Sequence, residues 1–242
     1  MTIDLSNVSA EFDLDMVVRA IVKAIEEDIP NQLREHPLET NNYIGIMRGD
    51  FINENLRSFA LVDGYELLSI HRYGWRGRLL VNREKHITLS IVTQANLYMI
   101  PRKKRARPHY AMSILKMQNS DLQGKYVQQT LFSMEPFESE VLEEDYDTII
   151  GGIIDPAEGF HHYFVSYRAE GNELVDVKLV LLDSAFNLVD EASLNHLITQ
   201  DFARLTDEIV TAAPNTTEES HREATRQLPK LKLGLREQEK QA

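Results

Sequence analysis

The sequence predicts an α+β protein with a mainly antiparallel sheet, and three observations carry that expectation. Elements of one kind come in runs: helices, then strands, a short helix, strands again and a last helix, without the strict alternation of a doubly wound fold. Short β-branched or alternating segments are separated by turn residues, as in hairpins. Apolar residues at helical spacing mark amphipathic helices near both ends of the pattern.

The first helix is expected over about Asp13–Glu27, where Leu14, Val17, Ile21, Ala24 and Ile25 form one stripe and Pro30 marks the end. Residues 31–42 read as a connection. A second helix fits Asp50–Leu61, with Phe51, Ile52, Leu56, Phe59 and Ala60 on one face, Asp50 as its cap and Gly64 beyond it. Three short runs follow, Tyr65–Arg72, Gly77–Val81 and His86–Thr93, and they predict an antiparallel meander. Residues 96–100 either extend that sheet or begin a connection. Pro101 and Pro108 bracket five mutually repelling charges, which favours an exposed loop. His109–Met117 suits a short helix.

Residues 135–147 hold seven acids in 13 positions and read as a solvated linker, the natural internal boundary. Thr148–Ile154 and Phe160–Arg168 read as strands, Glu170-Gly171-Asn172 as a hairpin turn, and Glu173–Leu182 as the returning strand. A helix is expected from Glu191 or Ser193 to Val210, on the stripe Leu194, Leu197, Ile198, Phe202, Leu205 and Ile209. From residue 213 the chain lacks aromatics and sustained periodicity, so a disordered tail is expected. The resulting organisation is 1–134, helices and meander; 135–147, acidic linker; 148–212, hairpin and helix; 213–242, tail. The two larger regions are compatible with one domain.

Composition narrows the function classes. The 242 residues carry 38 acids, 26 bases and no cysteine, for a net charge of −12. The missing cysteines exclude disulfides, thiolate-bound metals and thiol catalysis. No apolar run approaches the roughly 18–20 residues of a membrane span, and the acidic amino end is unlike a signal peptide. A cytoplasmic protein is the expectation, with no membrane partner and with homo-oligomerisation left open.

The charge is distributed unevenly. Residues 71–131 hold 12 bases against Glu84 and Asp121 alone, whereas residues 132–220 hold 20 acids and 3 bases. Such asymmetry bears on partners. Arg102, Lys103, Lys104, Arg105 and Arg107 form the densest run, and Arg72, Arg76 and Arg78 precede it with Trp75, the only tryptophan, among them. A meander can bring both groups to one side. Arginine forks suit phosphates, and interleaved aromatics suit base stacking. Binding of DNA, RNA or another charged partner through residues 72–107, in an accessory or regulatory role, is therefore the leading expectation. The alternative is a protein-interaction module, such as an antitoxin, immunity protein or inhibitor, that engages a basic partner through the acidic 135–220 region.

A third reading is catalytic. Asp176 and Lys178 stand two apart on an expected strand and so share a face, with Asp155 upstream. Oxygen ligands for a divalent metal beside a lysine are what phosphodiester hydrolysis needs. An Asp followed by Asp-x-Lys resembles the PD-(D/E)xK nuclease pattern, with the departure that Asp155 precedes Pro156. The resemblance implies a metal-dependent nuclease using Asp155, Asp176 and Lys178. Against it, Val175 and Val177 alternate with the two charges, which puts those charges on the outer face of an ordinary strand. His161 and His162, adjacent on a strand, point to opposite faces and cannot share a metal. No phosphate-binding glycine loop, dinucleotide fingerprint, nucleophile elbow or zinc-protease motif is present, so no cofactor is expected.

Overall fold

In the computed structural model the described residues are 5, 14–37, 39–40, 42–59, 65–72, 75–125, 137–150 and 152–198. The expected tail and most of the expected last helix lie outside them.

The amino-terminal helix does not stop at Pro30. Helix α1 (Asp15–Val22) runs into a π-helical turn, Lys23–Asp28, and on into α2 (Ile29–Glu35). In the wider π turn the Ile29 N–H bonds to the Ala24 carbonyl, five residues back. Pro30 enters just there, in the first turn of α2, where its missing N–H costs least. Asn55 fixes the widened coil from outside: its amide donates to the Ala20 carbonyl (3.3 Å) and to Asp28 Oδ2 (2.8 Å). Asn55 belongs to α3 (Ile44–Phe59), which starts six residues before the expected Asp50. Gly45 and Gly49, poor helix formers, hide that start in the sequence.

The meander is present: β1 (Glu66–Arg72), β2 (Trp75–Asn82) and β3 (Ile87–Thr93) pair antiparallel in order. Residues 94–99, left between sheet and connection, form helix α4 (Gln94–Met99), whose first turn Thr93 caps by accepting from the Asn96 N–H. The basic run 101–107 is a loop, and α5 (Tyr110–Gln118) follows, within a residue of expectation.

Two further expectations are corrected. The acidic linker and the strand over 148–154 are replaced by one helix, α6 (Ser139–Ile150). Leu142, Tyr146, Ile149 and Ile150 complete a buried helical stripe, and tertiary burial overrides the β-branched appearance of Thr-Ile-Ile. The helix expected from Glu191 or Ser193 does not begin there. Residues 188–193 form strand β6 (Leu188–Ser193) and residues 195–197 a single 3-10 turn. Pairing of β6 along β5 satisfies main-chain groups that a helix start would leave on a bare sheet edge.

Strands β4 (His161–Glu170) and β5 (Glu173–Leu182) form the expected hairpin, turning at Gly171, whose φ of 61° suits glycine. All six strands belong to one sheet in chain order, antiparallel at every pairing except β3–β4, which is parallel. A parallel pair needs a crossover, and α4, α5 and α6 supply it. Helices cover both faces. Leu80, Leu89, Val165, Val177 and Leu179 pack with Val17, Ile21 and Ile25 of the amino-terminal helices. Leu79, Val81, Phe164 and Val180 pack with Ile114, Leu115, Tyr146 and Ile150 on the other side. The fold is α+β around a mixed sheet. No helix among the described residues is long and apolar enough to cross a membrane.

Buried polar groups fix the crossover. Asn119, fully buried, accepts from the His162 N–H (2.7 Å) and donates to the carbonyls of His162 (2.9 Å) and Leu182 (2.7 Å). Thr88 donates to Gln118 Oε1 (2.5 Å), so its oxygen accepts the Nδ1–H of His162 (2.7 Å). Burial lowers the His162 pKa to about 3, and the ring is neutral at physiological pH.

Candidate ligand cleft

The register between β2 and β3 breaks off early. β1 and β2 pair from Glu66↔Val81 to Arg72↔Trp75, and β3 and β4 pair through to Thr93↔Tyr167. Between them, β2 and β3 pair only at Leu80↔Leu89, Val81↔Thr88 and Asn82↔Ile87. Continued, that register would set Arg78 against Ile91 and Arg76 against Thr93. Those four residues instead line a cleft of about 1100 Å³.

Helix α3 forms one wall with Gly45, Ile46, Gly49, Asp50 and Asn53. Leu80, Leu89, Ile52 and Leu56, each no more than 4% exposed, make the apolar interior, which Tyr167 and Tyr110 extend. Cations come from two places: Arg76 and Arg78 from the splayed end of β2, Lys103 and Arg105 from the loop after α4. Asp50 is the one acid among the described lining residues. Local positive charge in a chain of net −12 is the main electrostatic feature of the site.

His109 lines the same cleft and caps α5, its Nδ1 accepting from the Ala111 N–H (3.2 Å). Burial, reinforced by the Arg105 and Arg72 guanidinium groups, lowers its pKa to about 4 and keeps that nitrogen free to accept. His109 and His162 both make stability depend on pH. In the unfolded chain each imidazole takes up a proton below about pH 6.5, whereas the folded rings resist until about 4 and 3. Protons therefore favour unfolding across this window, by up to about 1.4 kcal/mol per pH unit for each ring. Urea denaturation between pH 6.5 and 4.5 is expected to show falling stability, with a smaller slope in His162→Asn. An unchanged slope in that variant would mean that His162 charges in the folded state.

The sequence-derived residues divide. Arg76, Arg78, Lys103 and Arg105 converge on the cleft. Arg72 lines it too, but its guanidinium is committed elsewhere: Nη2 lies 2.7 Å from Asp145 Oδ1, Nε donates to the same oxygen, and the Pro108 carbonyl accepts a further bond. With side-chain exposures of 11% and 8%, Arg72 and Asp145 are an internal ion pair. Arg102 turns to a smaller hollow of about 310 Å³ beside α4, where it lies 3.5 Å over the Tyr98 ring. Lys104 and Arg107 are exposed on the loop. Of Trp75 only the backbone is described; it pairs with Arg72.

The carboxylates of the nuclease pattern are not brought together. Asp155 caps the 3-10 turn before β4, and Asp176 pairs with Arg168 near the other end of that strand. The seven steps from His161 to Arg168 span about 23 Å at ~3.3 Å per residue. Asp176 is half-buried; burial raises its pKa, but bonds from Gln94 (2.7 Å) and Asn195 (2.9 Å) outweigh this and hold it low. Lys178 pairs with Glu191 at 3.2 Å. Among the described residues no group of three or more histidines and acids is placed to hold a metal ion. Likewise His161 reaches Asp121 (3.1 Å) while His162 points into the core, the opposite faces their adjacency predicts.

Sequence reasoning missed the α3 wall. Gly45-x-x-x-Gly49 was the available signal, because two glycines four apart in a helix expose one strip of bare backbone.

Fold and site together define an α+β protein with a mixed six-stranded sheet that opens into a cation-lined cleft. The chain belongs to DUF5986, a family of unknown function whose model matches residues 6–242. No curated protein and no solved structure matches it.

Proposed function

We propose that this protein binds nucleic acid, through phosphate contacts made by Arg76, Arg78, Lys103 and Arg105 at the cleft. The observation that carries the reading is their convergence from two separate segments on one apolar-walled opening, with Asp50 the only acid among its described lining residues. Each cation that neutralises a phosphate releases a counterion, so affinity falls with salt at a slope of about −0.7 per contact for single strands. Four contacts correspond to a loss of roughly 50-fold between about 50 and 200 mM salt.

Fluorescence anisotropy with labelled DNA and RNA, single- and double-stranded, tests this directly. Binding with that salt dependence is the expected result; no binding at 50 mM would overturn it. The exposed acids of α6, Glu140, Glu143, Glu144 and Asp147, favour a second reading in which the chain docks on a basic protein. A co-purifying basic partner, without oligonucleotide affinity, would select that reading.

A further inference from the structure

We infer that the cleft takes unpaired nucleotides, with a base inserted where β2 and β3 part and the flanking phosphates on the cations. The inference rests on the nucleic-acid reading and adds the class of strand. Four observations support it. The opening lies inside the sheet, between strands that hold to their outer neighbours but pair with each other at only three positions. A slot between strands admits a flat ring edge-on, whereas a paired base has both faces covered by its stacked neighbours. The volume, about 1100 Å³, slightly exceeds the ~300–1,000 Å³ of ordinary small-ligand pockets, which leaves room for a nucleotide and its neighbours.

Exposed apolar groups stand beside the cations. Ile46 is 72% exposed and Met99 46% exposed, and both line the cleft. Apolar surface next to positive charge matches a ligand that is flat and apolar on one part and anionic on another, as a nucleotide is.

On the α3 wall, neither packing nor φ requires Gly45 or Gly49. A Cβ at either would meet nothing within 4 Å, and neither φ is positive. Each costs helix stability relative to alanine and returns no contact among the described residues. A ring lying against bare helix backbone accounts for both.

The test compares three labelled 12-mers by anisotropy: an ordinary single strand, its duplex, and a fully abasic strand of the same charge. The ordinary strand is expected to bind about tenfold or more tightly than the abasic one, in line with base stacking, and more tightly than the duplex. Gly49→Leu is expected to bring the ordinary strand close to the abasic affinity and leave the abasic strand's binding unchanged. Its Tm should not fall, because leucine is the better helix former. If that variant proves unstable, the comparison of ligands on the wild-type protein still decides. Equal affinity for ordinary and abasic strands would overturn base insertion and leave phosphate binding standing. Failure of every strand to bind would overturn both.

Discussion

Arg72→Ala is expected to destabilise the protein by about 3–5 kcal/mol, the usual cost of leaving one partner of a buried ion pair uncompensated. Asp145 would keep the bond from the Ser113 hydroxyl (2.5 Å) but lose its cation, at 8% side-chain exposure. The Pro108 carbonyl would lose its guanidinium donor as well. Urea denaturation at neutral pH measures the loss. A double replacement, Arg72→Met with Asp145→Leu, should recover part of it, because removing both charges also removes the desolvation they incur. A single-variant loss below about 1 kcal/mol would show that water reaches Asp145 and that the pair is a surface one.

Replacing Arg76, Arg78, Lys103 and Arg105 together by Gln is expected to weaken nucleic-acid binding by about 100-fold or more at 50 mM salt. The salt slope should flatten by about three, since four fewer counterions are displaced from a single strand. Charge at a distance is controlled by removing four exposed bases elsewhere: Arg19, Arg57, Lys85 and Arg168. Those carry the same net change but do not line the cleft. If the control variant loses as much affinity, general electrostatic attraction explains binding and the cleft has no special part in it.

Much of the fold was legible because its signals are local. Alternation in residues 65–93 and 160–182 marks the meander and the hairpin, and each is found within a residue or two. The helix over residues 139–150 was not legible for a physical reason. Its acids face solvent, and its apolar stripe is sparse until packing against α5 supplies a use for it. The parallel β3–β4 pairing has no local signature at all, since nothing in either strand encodes a partner some 70 residues away. The site was half legible. The basic residues were visible as a cluster, but sequence cannot say that Arg72 is spent on Asp145, that Arg102 turns to Tyr98, or that Arg76 and Arg105 line one cleft at a split in the sheet.

The sheet order also bears on how the chain reaches this structure. Strands β1 to β3 and β4 to β6 each join near neighbours in sequence, so either half can zip from a turn. The two halves meet along a single parallel seam, where Thr88 lies beside His162. Closing a loop of that length must precede any gain from the contacts it makes, and such non-local pairings dominate folding times. Thr88 of β3, whose hydroxyl meets the His162 ring of β4 and Gln118, can lock the seam only after it has closed. The slow search in folding is therefore for one alignment, β3 against β4, rather than for six strands.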